Sequence, residues 1–393
     1  MKPAQIHELF NLDIETPAFL LDIPTLMRNI CDAKSMVESE QFKILFSLKC
    51  FSLASGLEVI AREMDGFSAS SRFEVLLASR YRSSNQRIHM TTPGLHPSSI
   101  VEVCQEVDYV SFNSFNQWLR FKEDATELTS CGLRINPQLS FVADERYNPC
   151  QAHSKLGVPL DALCGYLKNH PDAFQGIEGI HFHNNCDCTN LEELRLTAEK
   201  IHDAIAPLLP QIKWINMGGG YLLNEVAERD PLRKAVNFFL ESGVEKVFLE
   251  PGAAIVRNAG YMVSSVIDMF VSGGKNIAIL DTCINHLPEV YEYQWRPPVL
   301  HTCDDSAYRY VLAGATCLAG DVMGEYFFDR KLKIGSRVVI GDVGAYSLVK
   351  ANMFNGVNLP SLYINNNGKI NKIKDYSFSD YLALCGGINY GDF

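Results

Sequence analysis

Apolar positions along the first two-thirds of the chain alternate between short runs and longer stretches of helical period. The runs are "FKILFSLK" (42–49), "GFSAS" (66–70), "RIHMTTP" (87–93), "YVSFNS" (109–114), "GLRINP" (132–137), "GIHFHN" (179–184), "KWINMGGG" (213–220) and "KVFLEPG" (246–252). Each has the length of a buried strand. Between them, "SLASGLEVIAREM" (52–64), "SRFEVLLASRYR" (71–82) and "NLEELRLTAEKIHDAIAPLL" (190–209) repeat apolar residues at three and four, which predicts helices. Strand–helix alternation predicts a parallel sheet, and eight units close a (β/α)8 barrel. A doubly wound open sheet is the alternative.

Beyond residue 260 the texture becomes β-rich: 261–270, 275–282, 308–317, 336–347 and 361–370, with turn signals such as "SGGKN" and "NNNGK" between them. These segments predict an antiparallel β domain, to which "TPAFLLD" (16–22) is expected to add a strand. The expected division is 25–259 for the barrel and 1–24 plus 260–393 for the β domain.

A barrel carries its site at the C-terminal ends of its strands. There stand Lys49, Ser70, Pro93, Asn113, Asn136, His183, Gly218, Gly219, Gly220 and Glu250. Lys49 is the unusual one, because an ammonium beside Leu48 and Cys50 is costly unless it is paired or loses its charge. It is either an exposed loop lysine or a nucleophile for an aldehyde. The three glycines are a tight turn or a cradle whose N–H groups approach an anion closely. Glu250, at the end of "VFLE", is either a surface loop residue or a partly buried carboxylate, which needs a cationic partner, and His183 is a core histidine or a site residue.

Composition narrows the classes. The chain has 393 residues, 47% hydrophobic and 21% charged, with a formal net charge of −11, which opposes non-specific binding to nucleic acid or anionic membrane. No segment reaches 18 apolar residues, and "MKPAQIHELFNLDIETPAFLL" lacks the pattern of a signal peptide, so a cytoplasmic protein is expected. The twelve cysteines are scattered, with Cys186 and Cys188 the only close pair. One C-x-C is a poor zinc signal, so reduced thiols and no metal site are expected. Lysine, glycine cradle and carboxylate together match pyridoxal 5'-phosphate, which needs an imine-forming lysine, an anion site and a group facing its ring nitrogen.

The ordered set "TPAFLLD", "SLKCF", "FNS", "YNPCQAHSKLG", "GIHFHNNC", "NMGGGY", "LEPG", "ILDT", "HLPEV", "TCLAGDVMGEYFF" and "VKANMFNGV" covers nearly the whole chain. It resembles the barrel-fold pyridoxal phosphate decarboxylases, the group of ornithine and diaminopimelate decarboxylases with an alanine-racemase-like two-domain architecture. Within that family the likeness is strongest to members that act on carboxylated polyamines. The resemblance implies removal of the α-carboxylate of a small cationic carboxylated polyamine, giving norspermidine or spermidine. It implies that Lys49 is joined to the cofactor's aldehyde, that His183 stacks on its ring and that Glu250 pairs with its ring nitrogen. Gly218, Gly219 and Gly220 would hold the phosphate, with Gly252 and Tyr346 assisting. Glu74 and Arg134 match positions near the cofactor. Cys317 would deliver a proton to the neighbouring subunit's site, which requires a homodimer, and Asp321 would pair with Lys155 across that dimer. Asp281, Glu289 and Asp321 are the candidate substrate residues.

Two departures bear on the substrate. Where the family has Glu-Pro-Gly-Glu-Ala, this chain has Glu250-Pro251-Gly252-Ala253-Ala254, and Glu289 stands where an aspartate is common. The alternatives are another α-decarboxylase of this fold with altered side-chain recognition, a cofactor-binding regulator without catalysis, and a racemase. Retention of Lys49, Glu250, Cys317 and Tyr346 opposes the regulator, and Glu250 opposes the racemase, which benefits from a weaker electron sink.

Overall fold

The computed structural model describes residues 13–387. The chain divides into two compact units, one of residues 28–49 and 57–255, the other of 13–27, 50–56 and 256–387. The expected barrel bounds, 25–259, are a few residues wider at each end than 28–255, and the short segment 50–56 groups with the second unit. Of the expected 1–24, residues 1–12 lie outside the described residues.

In the first unit, eight parallel strands run Phe42–Ser47, Gly66–Ala69, Arg87–Thr92, Tyr109–Phe112, Ser130–Asn136, Ile177–Phe182, Trp214–Asn216 and Lys246–Leu249. Each pairs with its neighbour, and Lys246–Leu249 pairs with Phe42–Ser47, so the sheet closes on itself as a barrel. All eight expected strands are present. The first stops at Ser47, however, and Lys49 lies in a single 3-10 turn, Leu48–Cys50, where its side chain is exposed rather than buried.

Local sequence sets where helices begin. After the second strand, Ser71 caps Arg72–Tyr81 by accepting from Glu74 N at 3.2 Å, while Glu74 Oε2 accepts from Ser70 N at 2.6 Å. After the fourth, Ser114 caps Phe115–Ala125 by accepting from Gln117 N at 3.1 Å, and Gln117 Oε1 accepts from Asn113 N at 2.8 Å. Both satisfy otherwise orphaned N–H groups, and both read in the sequence as Ser-x-x-Glu/Gln. The first also folds Glu74 back toward the strand end that bears the site.

The lower half of the barrel is filled by Leu45, Tyr109, Trp214 and Phe248. Trp214 is 2% exposed, and its Nε1 donates to Ser130 Oγ at 2.8 Å. Its indole fits because Gly132 and Gly179 carry no side chain: a Cβ on Gly179 would lie 1.9 Å from Trp214 Cε2, and one on Gly132 2.4 Å from its Cη2. A rigid buried indole has nowhere to go. Gly179→Ala should therefore destabilise the protein by about 3 kcal/mol, the upper end for an overpacked core, measured as a lower urea midpoint. An unchanged midpoint would mean that Trp214 repacks freely.

In the second unit the ladder runs Val322–Phe328, Tyr308–Ala313, Lys275–Leu280, Gly260–Ser272, Ala18–Asp22, Ser361–Asn366 and Lys369–Lys374, with Arg337–Ile340 also paired to Gly260–Ser272. The N-terminal strand joins as expected. The sheet is mixed rather than purely antiparallel: Ala18–Asp22 runs parallel to Ser361–Asn366, and Lys275–Leu280 parallel to Tyr308–Ala313. Both pairs join segments separated by long connections, which parallel pairing needs.

Among the described residues no helix is long and apolar enough to cross a membrane.

Candidate active site

Side chains two apart in a strand point to the same side, and along the barrel interior they change character at one level. Two residues beyond the apolar layer, every strand contributes a buried polar group: Ser47, Ser68, His89, Ser111, Arg134, His181, Asn216 and Glu250. A cavity of about 600 Å³ opens above this ring. Ser47, Ser68, Arg134, His181 and Glu250 line its floor, Lys49, Ser70, Thr91 and His183 the next level, and the 146–156 loop its upper wall.

Glu250 is 8% exposed and tightly held. Asn216 Oδ1 accepts from Gly218 N at 2.9 Å, which fixes the amide so that Nδ2 donates to Glu250 Oε1 at 2.6 Å. His89 Nδ1 lies 2.5 Å from the same oxygen and, facing an ionised carboxylate, is the donor. His181 Nε2 stands 3.7 Å from Oε2. Burial raises the Glu250 pKa, but the His89 and His181 imidazoles beside it outweigh burial and hold the carboxyl well below the usual range. Burial pushes His181 down to about 4 against the pull of Glu250, so His181 is neutral at pH 7.

His183 is also neutral: burial, then the charges of Lys49 and Arg134, keep it well below the ordinary histidine value. Its Nδ1 accepts from Gly219 N at 3.0 Å, which leaves its proton on Nε2. Burial lowers Arg134 to about 10, still cationic at neutral pH. Among the described residues its Nε meets no hydrogen-bond partner, nor do Thr91 Oγ1 and His181 Nδ1. Burial raises Glu74, opposed by the Ser70 N–H and by the charge of Lys49.

The three glycine N–H groups are not equivalent. The Gly218 and Gly219 N–H groups are taken by Asn216 and His183, whereas Gly220 makes no such bond among the described residues. Glycine is required because backbones converge here. A Cβ on Gly219 would lie 2.2 Å from Glu250 O, and one on Gly220, where φ is +92°, 2.1 Å from Asn185 O. Gly252 is half-buried just beyond Glu250, and its carbonyl accepts from Ile255 N at 2.9 Å. Cys186 reaches the cavity wall, while Cys188 donates to Glu193 Oε2 at 3.1 Å. None of the twelve cysteines is in a disulfide among the described residues.

The remaining expected residues belong to the second unit. Asp281 Oδ1 accepts from Ser264 Oγ at 2.6 Å and Ser265 N at 2.9 Å, and its Oδ2 from Thr16 Oγ1 at 2.6 Å. Asp321 is 3% exposed and accepts from Ile284 N, Thr316 N and Thr316 Oγ1 at 2.9, 3.0 and 2.5 Å. Within one chain both carboxylates tie loops together. What Asp321 secures is the turn that presents Cys317, whose thiol is exposed and whose N–H donates to Asn355 Oδ1 at 2.9 Å. Glu289 is half-buried in the first turn of Glu289–Glu292. Tyr346 is half-buried at φ +56°, and its N–H donates to Cys50 O at 2.8 Å.

The barrel cavity suits a flat, polar heterocycle with an aldehyde. It offers an exposed primary amine at Lys49, an ionised buried carboxylate at Glu250 and buried polar atoms at Arg134, Thr91 and His181 without protein partners.

Comparison with known proteins agrees. The pyridoxal binding domain of the pyridoxal-dependent decarboxylases matches residues 25–265. A carboxynorspermidine/carboxyspermidine decarboxylase of Campylobacter jejuni is 32% identical, covering 95% of this chain and 99% of its own. A carboxyaminopropylagmatine decarboxylase of Synechocystis is 31% identical over 95% of this chain and 96% of its own. The crystal structure of carboxynorspermidine decarboxylase complexed with norspermidine, also from C. jejuni, superposes with a TM-score of 0.85 at 30% identity, covering 94% of this chain and 100% of that one. The chain thus belongs to the pyridoxal-dependent decarboxylases, enzymes that use pyridoxal phosphate.

Proposed function

We propose that the protein removes the α-carboxylate of carboxynorspermidine or carboxyspermidine, releasing CO2 and norspermidine or spermidine. The observation that carries this reading is the ionised, doubly hydrogen-bonded Glu250 on the floor of a cavity that also holds the Lys49 amine. Pyridoxal phosphate, when bound, supplies an electron sink for the pair left behind as CO2 departs. Lys49 would hold its aldehyde carbon. Glu250 would keep a proton on the ring nitrogen, so the sink would stay strong. His183, neutral and with its proton on Nε2, would face the ring without adding charge. Arg134 would hold an anionic oxygen in the cavity, and Gly220, Gly252 and Tyr346 would serve the phosphate. Each turnover releases one CO2 and takes up one proton at the carbon that lost it.

Cys317 is the donor of that proton, acting in the partner subunit of a cytoplasmic homodimer. Its exposed thiol on a turn fixed by Asp321 and Asn355 supports the role. Mixing inactive Lys49→Ala and Cys317→Ala proteins should restore activity, since a hybrid dimer holds one intact site, up to about a quarter of the wild-type value for random exchange of protomers. Exchange without recovery would place Cys317 outside the partner's site.

A second substrate reading has a specific observation behind it. The carboxyaminopropylagmatine decarboxylase relative is as similar to this chain as the carboxynorspermidine enzymes, and Ala253 replaces an acid at the lip of the barrel. Losing a charge-assisted contact to an ammonium costs about 1.5–3 kcal/mol, roughly tenfold or more in binding. Glu289 compensates in the polyamine reading; in the other, the substrate ends in a guanidinium. Measuring CO2 release and kcat/KM for carboxynorspermidine, carboxyspermidine and carboxyaminopropylagmatine decides. The polyamine reading expects one of the first two to lead by at least about tenfold. A lead for the third would transfer the assignment.

A further inference from the structure

His89 stands in the polar ring as one of the two donors to Glu250. Its ring is 1% exposed and pinned on three sides. Nδ1 meets Glu250 Oε1 at 2.5 Å, Nε2 meets Ser111 Oγ at 2.8 Å, and Trp214 packs edge-on with ring centroids 5.6 Å apart. His89 and Asn216 engage the same oxygen of Glu250. Among the described residues, Oε2 is left with only the distant His181 Nε2, at 3.7 Å. Buried in the same ring is Arg134, which feels the Glu250 charge, and yet among the described residues no ion pair joins the two. Unrestrained, a buried carboxylate and a buried guanidinium would close on each other, because each alone is costly to hold out of water.

We propose that His89 is a positioning residue for this reaction. Braced by Ser111, it fixes the orientation of Glu250, keeps the carboxylate from closing onto Arg134, and leaves one oxygen for the cofactor's ring nitrogen and the guanidinium for an anionic group of the ligand. Asn216 Nδ2 meets the same oxygen beside it, 2.9 Å from His89 Nδ1. A single donor would let the carboxylate swing about one bond, whereas two neighbouring donors restrict that motion. The inference rests on the decarboxylase reading, specifically on Glu250 serving the ring nitrogen.

The experiment compares His89→Leu, His89→Asn and His89→Gln with wild type, each loaded with pyridoxal phosphate labelled with 15N in the ring. Asparagine can place an N–H near the position of Nδ1, glutamine near that of Nε2, and leucine neither. His89→Leu should lose about tenfold to a hundredfold in kcat with KM changed by less than about twofold, the signature of an interaction used in the transition state. Its ring-nitrogen resonance should move toward that of an unprotonated pyridine. His89→Asn should recover most of both, and His89→Gln little. If His89→Leu does not fold, the contrast between asparagine and glutamine carries the same information. A leucine variant with wild-type kcat and nitrogen resonance would overturn the proposal. So would equal losses in all three variants with an unchanged resonance, since those would mark a packing role alone. Wild-type protein that bound no pyridoxal phosphate would instead fail the functional reading, and the two failures are therefore distinct.

Discussion

Lys49→Ala is expected to lose at least about a thousandfold in kcat, because the group that captures and positions the cofactor's aldehyde is gone. Borohydride treatment of the wild type should fix the cofactor to the peptide containing Lys49. The alternative target is defined by the structure, since Lys155 also lines the cavity. The two differ in setting. Lys49 rises from a one-turn helix at the end of the first barrel strand, in the field of Glu74, whereas Lys155 lies on the covering loop. Label on the Lys155 peptide, or an alanine variant that keeps its activity, would move the chemistry off the strand end.

Glu250→Gln should lower kcat by about a hundredfold to a thousandfold, the usual loss when a preorganised charge is removed from a sheltered site. The fold should survive. Glutamine is isosteric, and its carbonyl oxygen can still accept from both Asn216 Nδ2 and His89 Nδ1. KM should change little, because the carboxylate acts on the cofactor ring rather than on the substrate's chain. Steady-state kinetics on the loaded variant check this. A variant within a few fold of wild type would show that the ring nitrogen does not need its proton here.

Much of this architecture was legible in the chain. Short apolar runs separated by helical periods defined all eight barrel strands, and the strand ends pointed to Lys49, His183 and Glu250. The polar ring beneath them was missed, yet its signal lay two residues upstream of positions already singled out. Ser47 precedes Lys49, Ser68 precedes Ser70, Ser111 precedes Asn113, Arg134 precedes Asn136, His181 precedes His183, and Asn216 precedes Gly218. A polar residue inside an apolar strand, repeated across strands at one level, marks the floor of a site because each needs a partner once buried.

Other features depend on contacts that no local pattern encodes. Spacing cannot show that the Gly218 and Gly219 N–H groups are spent on Asn216 and His183. Nor can it show that Asp321 bonds to Thr316 and Ile284, or that Trp214 occupies the space left by Gly132 and Gly179. The parallel pairing of Ala18–Asp22 with Ser361–Asn366 joins residues more than 300 positions apart, far beyond any periodicity.

The most direct test of the central claim is to incubate the loaded enzyme with carboxynorspermidine in D2O and analyse both products. The account predicts one CO2 for each norspermidine, with a single deuterium on the carbon that carried the carboxylate. Exchange of the α-hydrogen with the carboxylate retained, or no reaction with any of the three carboxylated amines, would contradict it.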